Sequence, residues 1–302
     1  MKRCRVCNGP KVIELRQHNA AFCQEHFIRF CHDQVARTIK KFSMFEATDR
    51  VLVAVSGGKD SLALWEILVE LGYDTEGLVI GLGIGEYSDE STRLATAFAD
   101  ERSLNLRTVN LAETHGFTIP GAAAQTTRVP CSACGLSKRH IFDEQARTGG
   151  FDVVVTGHNL DDEAAVLFGN VARWNREYLA RQMPVLAAAN GFPRKAKPLV
   201  RLGEREMAAY CVLRDIDYIV EECPMAAGNK HLQYKELLNA MEVQSPGSKQ
   251  QFYFGFLERA APLFTAELEA DGQPIHHCGV CGSPTSGAVC AFCRLKDRVA
   301  IQ

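Results

Sequence analysis

An apolar pentapeptide that runs straight into a glycine pair is the strongest constraint in this chain. Val51-Leu-Val-Ala-Val55 reads as a buried strand, and Ser56-Gly-Gly-Lys-Asp-Ser61 follows it without a spacer. The segment from Ser61 to Leu71 then reads as a helix stopped by Gly72. Strand, glycine loop and helix start, in that order, aim backbone N–H groups and the positive end of a helix dipole at one point, which makes an anion site. Gly57 and Gly58 let backbone approach a phosphate with no Cβ in the way. Lys59 adds a cation, and Ser56 and Ser61 add hydroxyls. The loop lacks the longer Gly-x-x-x-x-Gly-Lys-Ser/Thr pattern, so it is not the P-loop of the common NTPases. An ordinary tight turn accounts for Ser-Gly-Gly taken alone, but poorly for all six residues in this setting.

Strand and helix patterns alternate on both sides of this loop. Strands are expected at Leu78 to Leu82, Leu106 to Leu111, Asp152 to Thr156 and, briefly, Tyr218 to Val220. Helices are expected at Ser88 to Arg102, Ser132 to Ala146, Leu160 to Arg173 and Glu204 to Arg214, with a Gly/Ala/Thr/Pro loop from Pro120 to Pro130. Apolar strands separated by helices predict a doubly wound parallel α/β sheet, with ligands at the carboxyl ends of the strands. Residues from Lys230 to Leu268 read as helical. Cysteine pairs mark both ends, which divides the chain into an N-terminal zinc finger (1–32), a catalytic domain (33–225), a helical extension (226–272) and a C-terminal zinc ribbon (273–302).

The chain has 302 residues and a formal net charge of -2, so it is not a nucleic-acid binder by overall charge. Residues 1–41 differ: they carry nine Lys/Arg against three acids, a basic end suited to a polyanion, or simply a solvated basic face. No apolar run approaches the roughly 20 residues of a membrane span, and the N-terminus does not read as a signal peptide. A cytoplasmic protein is expected, and in that compartment twelve cysteines argue for metal rather than disulfides.

Three cysteine constellations stand out. Cys4-x-x-Cys7 followed by Cys23-x-x-His26 has the spacing of a structural Cys3His zinc site. Cys278-x-x-Cys281 followed by Cys290-x-x-Cys293 has that of a four-thiolate zinc ribbon, leaving His276 and His277 as exposed polar residues. The third is Cys131-x-x-Cys134 at a helix start, with Cys223 before Pro224 as the remaining thiol of ligand character. Cys31 and Cys211 sit in apolar helical contexts and read as packed thiols. Three thiolates suit a [4Fe–4S] cluster with one open iron; a redox Cys-x-x-Cys and a third zinc are the competing readings.

The Ser56–Ser61 loop resembles the PP-loop of ATP pyrophosphatases, which split ATP to AMP and pyrophosphate and use AMP to activate a substrate. With the three constellations, Gly81–Ser88, Cys131-Ser-Ala-Cys-Gly-Leu-Ser-Lys-Arg139 and Thr156-Gly-His-Asn-Leu-Asp-Asp162, nearly the whole chain resembles the tRNA 2-thiouridine synthetases of the TtcA/TtuA-like group. The segments Leu82–Ser88 and Gly135–Arg139 favour the TtuA branch, which converts 5-methyluridine in the tRNA T-loop to its 2-thio form. The resemblance implies a PP-loop, HUP-like catalytic fold. It implies ATP with Mg2+ on Ala54, Ser56, Gly57, Gly58, Lys59, Asp60, Ser61, Gly81, Lys138, Gly157 and Asp162. Lys138 is implied to be catalytic, as is one of Asp161 and Asp162, orienting the base or binding Mg2+, with the resemblance favouring Asp162; Cys131, Cys134 and Cys223 are implied to hold a [4Fe–4S] cluster. His158 is divided between nucleotide contact and loop packing. Partners implied are tRNA, a ubiquitin-like thiocarboxylated sulfur carrier and a second copy of the chain, with no membrane. Wobble-uridine thiolation is the alternative within the same chemistry. Outside it stand a PP-loop amidotransferase or lysidine-type ligase, and a non-enzymatic zinc-ribbon RNA-binding protein.

Overall fold

The computed structural model describes residues 2–226, 230–270 and 274–299; the remainder of the expected 226–272 and 273–302 units lies outside the described residues. The chain opens with an antiparallel hairpin, β1 (Ile13–Leu15) and β2 (Ala20–Phe22), and helix α1 (Gln24–Lys41), which runs unbroken past residue 32. The central unit follows as β3 (Arg50–Val55), α2 (Lys59–Glu70), β4 (Asp74–Gly81), α3 (Gly85–Glu101), β5 (Leu106–Asn110), α4 (Leu111–His115), α5 (Ile119–Gln125), α6 (Pro130–Gly149), β6 (Val153–Thr156), α7 (Leu160–Ala172), α8 (Arg176–Ala180), β7 (Val185–Leu186), β8 (Arg194–Ala196) and α9 (Glu204–Leu213). Helices α10 (Lys230–Gln244), α11 (Ser248–Arg259) and α12 (Ala261–Ala270) come next. The chain closes on β9 (His276–His277), β10 (Pro284–Thr285) and α13 (Ala291–Val299).

The central sheet runs β5-β4-β3-β6-β8-β7, parallel throughout except for β7. From β3 the chain winds outward through β4 to β5, then returns to place β6 on β3's other side. Strand order therefore reverses between β3 and β6, the point at which open α/β sheets leave a crevice at their carboxyl ends. Side chains alternate across the sheet as a period of two requires. Val51, Val53, Val55, Val153 and Val155 enter one core with α1, α2 and α9, whereas Leu52 and Val154 enter the other with α5, α6 and α13. The doubly wound reading holds, and the C-terminal module packs on α5 and α6, outside one sheet face.

Two expectations fail. Residues 218–220 form no strand; Ile219 N–H instead donates one backbone hydrogen bond, of 2.9 Å, to Gly57 O, so the segment docks on the glycine loop rather than a ladder. The expected loop after Pro120 is partly helix α5, started by a Thr118 side chain that accepts from Gly121 N–H at 3.1 Å and by proline in the first turn. Short strands β7 and β8 were invisible in the sequence, β7 because it is two residues long and β8 because Arg194-Lys-Ala196 carries no apolar run.

Candidate active site

A cleft of about 360 Å³ opens where the strand order reverses. Val55 leads into the glycine loop on one side, and Thr156 leads into Gly157 and His158 on the other; Ala54 and Thr156 are directly paired in the sheet. Ala54, Ser56, Gly58, Asp60, Ser61, Lys138, Gly157 and Asp162, nominated from distant parts of the sequence, all line this one space. Gly57, Lys59 and Gly81 do not: Gly57 packs on Ser91, Lys59 turns to Asp60, and Gly81 lines a groove between α3 and β5.

The glycine loop is held by its own hydroxyls. Ser56 N–H donates to Ser61 Oγ at 3.1 Å, and Ser61 Oγ donates to Gly58 O at 2.9 Å. Gly57 has φ +68°, and a Cβ there would be driven into the carbonyl of Ser91. The chain's own packing thus demands this glycine, before any ligand is considered. Gly157 is required for a related reason: a Cβ would lie 2.8 Å from Ser61 N and 2.9 Å from Asp60 C. The two crevice walls are in backbone contact at that position.

Helix α7 starts with a capping box in which Asn159 and Asp162 each accept the other's backbone N–H at 3.1 Å. Asn159 Nδ2 also donates to Asp60 Oδ1 at 2.9 Å, tying α7 to the glycine loop. Lys59 turns to Asp60 Oδ2 at 2.9 Å. Burial pushes the Asp60 carboxyl above its ordinary value, despite the pull of Lys59 and Asn159. Asp162 is different: burial raises it, but Lys235 Nζ, 2.6 Å from Oδ1, and neighbouring His158 bring it below the ordinary value overall. Lys235 also reaches Glu204 at 2.5 Å. It arrives from the helical extension and had no signal in the sequence beyond a helix lysine.

Asp161 faces away from the cleft. Only 6% exposed, it pairs with Lys249 of α11 and accepts from Glu204 N–H at 2.9 Å. Successive helix residues are set about 100° apart, and here that offset puts Asp162 in the cleft and Asp161 against α11. His158 lines the cleft, with Nδ1 at 2.7 Å from Thr156 Oγ1.

Cys134, Lys138 and Phe142 follow one another at four-residue spacing on α6, which puts them on one helix face. Lys138 and Phe142 line the cleft, so Cys134 lies one turn beyond its rim. Cys223 precedes the turn Pro224–Ala226 that packs on α6, and Met225 O is 3.8 Å from Cys131 Sγ. Burial raises the Cys134 thiol; Lys138 opposes this, while Cys223 and Cys131 add to it, so the three sulfurs share one locality. Tyr87, which the sequence reading passed over, lines the cleft and packs in the apolar cluster that also takes Cys134 and Cys223.

Among the described residues, two groups alone have all their metal-ligating atoms within 4.8 Å of one another: Cys4, Cys7, Cys23 and His26, and Cys278, Cys281, Cys290 and Cys293. Cys7–Cys23 and Cys281–Cys290 sulfurs are each 3.8 Å apart, and Cys4 Sγ is 3.7 Å from His26 Nδ1. A tetrahedron of ~2.3 Å bonds has edges of about 3.8 Å, so both sets fit zinc. Cys131, Cys134 and Cys223 are not gathered to that degree, so they do not form a closed one-ion set. Exposed His276 and His277 stay outside the ribbon group, with His277 Nδ1 3.0 Å from Gly282 O. Cys31 and Cys211 are fully buried, and Cys211 Sγ donates to Lys59 O at 3.4 Å. No described helix is long and apolar enough to cross a membrane.

Residues 31–226 match the PP-loop domain, and residues 3–28 match the N-terminal LIM domain of the 2-thiouridine synthetase TtuA. A tRNA-5-methyluridine(54) 2-sulfurtransferase from Thermus thermophilus is 50% identical over 296 residues, 98% of this chain and 91% of the relative. One from Pyrococcus horikoshii is 40% identical, over 97% and 93% of the two chains. The fold matches the U34-tRNA thiolase NcsA from Methanococcus maripaludis, solved with its [4Fe-4S] cluster, at TM-score 0.83 and 23% identity, over 100% of this chain and 98% of that one. A glycine loop at a sheet switch point, three thiols near it, a zinc-fitting set at each end and near-complete relatives at this identity lead to one assignment: the chain belongs to the tRNA-5-methyluridine(54) 2-sulfurtransferase family of PP-loop proteins.

Proposed function

We propose that this protein is an ATP-dependent tRNA thiolase that replaces O2 of a T-loop 5-methyluridine with sulfur. One observation carries the reading: the phosphate loop, Lys138 and Asp162 line a single cleft, with Cys134 one helical turn from Lys138. ATP phosphates lie on Ser56–Ser61, where the α2 N-terminus and loop N–H groups bear the charge. The uracil O2 attacks the α-phosphate and pyrophosphate leaves, so that O2 departs later as AMP instead of as oxide. Lys138 supplies positive charge where negative charge develops at the α-phosphate. Asp162, held ionised, orients the base or takes the nucleotide's Mg2+. Lys59, Gly57 and Asp60 shape the loop, and Asp161 keeps α7 in place.

Cys131, Cys134 and Cys223 would hold a [4Fe–4S] cluster, which with three protein thiolates leaves one iron position for an incoming sulfide. Three thiols that are not gathered within 4.8 Å, unlike the two terminal sets, together with the half-buried setting of Cys134, fit that group better than a third zinc. The four-part division at residues 32, 225 and 272 assigns catalysis to the central part and zinc to the ends. A ubiquitin-like thiocarboxylate carrier as sulfur source, a homodimer and a cytoplasmic setting complete the reading. Cys131 is exposed near the start of α6, open to delivery from solvent; Leu237 and Met241 expose an apolar strip on α10; and reduced thiols need a reducing compartment.

The test is thiolation of unmodified and 5-methyluridine-bearing tRNA by oxygen-free protein with ATP, Mg2+ and sulfide, mapped by mass spectrometry. Sulfur in the T-loop supports the reading. Sulfur at a wobble uridine overturns the position, and absence of sulfur with iron-loaded protein overturns the substrate.

A further inference from the structure

We infer that the turn between α7 and α8 is an RNA-stacking surface, built on Trp174 and flanked by Arg173, Arg176 and Arg181. Helix α7 ends in a Schellman turn: Asn175 N–H donates to Asn170 O and Trp174 N–H to Val171 O, each at 3.0 Å. Trp174 therefore occupies the position that takes a left-handed backbone, and its φ is +49°. Glycine is the ordinary residue there, because any Cβ makes this conformation unfavourable. A bulky aromatic in this position normally earns its place through packing. Trp174 does not: it is 71% exposed. Tyr178, four residues on, is 62% exposed. All three arginines are exposed, and Glu177 is the one acid among residues 173–181.

Exposed aromatic rings beside guanidinium groups are what unpaired bases and phosphates recognise: rings stack on bases, and arginines bind phosphate or stack in turn. Trp174 lies about 18 Å from Asp162 along α7, at 1.5 Å per residue. A free nucleoside cannot span that distance, but a folded RNA loop can. The surface would thus anchor the substrate RNA away from the reacting base. The inference rests on the reading of tRNA as substrate.

The chain has two tryptophans, and Trp65 is fully buried. Emission quenchable from solvent therefore reports Trp174. Unmodified tRNA transcript should quench it in the full-length, metal-loaded protein. Trp174→Phe, which keeps a ring but leaves Trp65 as sole emitter, should show no such quenching and bind tRNA nearly as well. Trp174→Gly should bind tRNA about 5- to 150-fold more weakly, the loss of stacking one base, while melting no lower than the parent protein. Its rate of AMP formation at saturating tRNA should be retained. Tight tRNA binding with unchanged Trp174 emission, and equal affinity of Trp174→Gly, would overturn the surface and leave the catalytic reading standing. Failure of the parent protein to bind tRNA would overturn both.

Discussion

Gly81 and Gly157 look equivalent in the sequence, each at the end of an apolar strand, yet the structure predicts opposite outcomes for their replacement by alanine. A Cβ on Gly81 meets nothing nearer than 3.7 Å, which is ordinary contact. A Cβ on Gly157 meets Ser61 N at 2.8 Å and Asp60 C at 2.9 Å, about 0.6 Å short of ordinary contact. Both neighbours are backbone at the α2 N-terminus, and no rotamer change relieves them. The loop and the β6 end must separate by roughly that distance. Overpacking of this kind costs about 1–3 kcal/mol, or about 2–12 °C of melting temperature. The larger effect is on chemistry, since a reacting group displaced by about 1 Å loses up to ~100-fold in rate; half that shift should cost about 10-fold in AMP formation. The assay is ATP-to-AMP conversion with tRNA, alongside thermal unfolding and zinc content. Gly157→Ala should be slow with zinc retained, and Gly81→Ala close to the parent protein. Equal damage from the two, or a fully active Gly157→Ala, would refute the claim that backbone contact across the crevice sets the phosphate loop.

Lys249→Met should destabilise by about 3–5 kcal/mol in denaturant unfolding, because it strands the Asp161 carboxylate in a buried site; adding Asp161→Asn should recover much of the loss. Asp162→Asn should instead retain most stability and lose thiolation, so a reversal of the two phenotypes would contradict their opposite orientations. Asp162 lies below its ordinary pKa, so its stabilisation is whole above the unfolded carboxylate range near ~4 and is lost as pH falls through its own lower value. The stability gap between the parent protein and Lys235→Met should therefore be full at neutral pH and close under acid; a gap that widens as pH falls would exclude the Asp162–Lys235 pair as its source. Cys223→Ala, prepared without oxygen, should lose thiolation while keeping both zinc ions, as read by metal analysis.

Short-range physics made much of this protein readable. A buried strand entering Ser-Gly-Gly-Lys-Asp-Ser dictates its turn locally, and the 4.8 Å grouping of each terminal ligand set follows from cysteine spacing. The failures share a cause, which is that tertiary contacts outvoted weak local signals. Arg194–Ala196 is a strand because β6 offers a free edge, and residues 218–220 are not, because their one backbone bond goes to Gly57. The helix around Pro120 went unread because its small residues carry no amphipathic period, although Thr118 caps it.

By itself the sequence determined the chemistry available: a phosphate-cradling loop, two closed ligand sets, and three further thiols beside a lysine. Only the tertiary structure decided which of those groups meet. It brought the ends of β3 and β6 together at the reversal of strand order, turned Asp162 into the cleft and Asp161 out, and sent Lys235 across from the helical extension. The reason is that residue type and spacing are local properties, whereas side-chain direction at a crevice depends on strand order, helix rotation and what packs behind each helix.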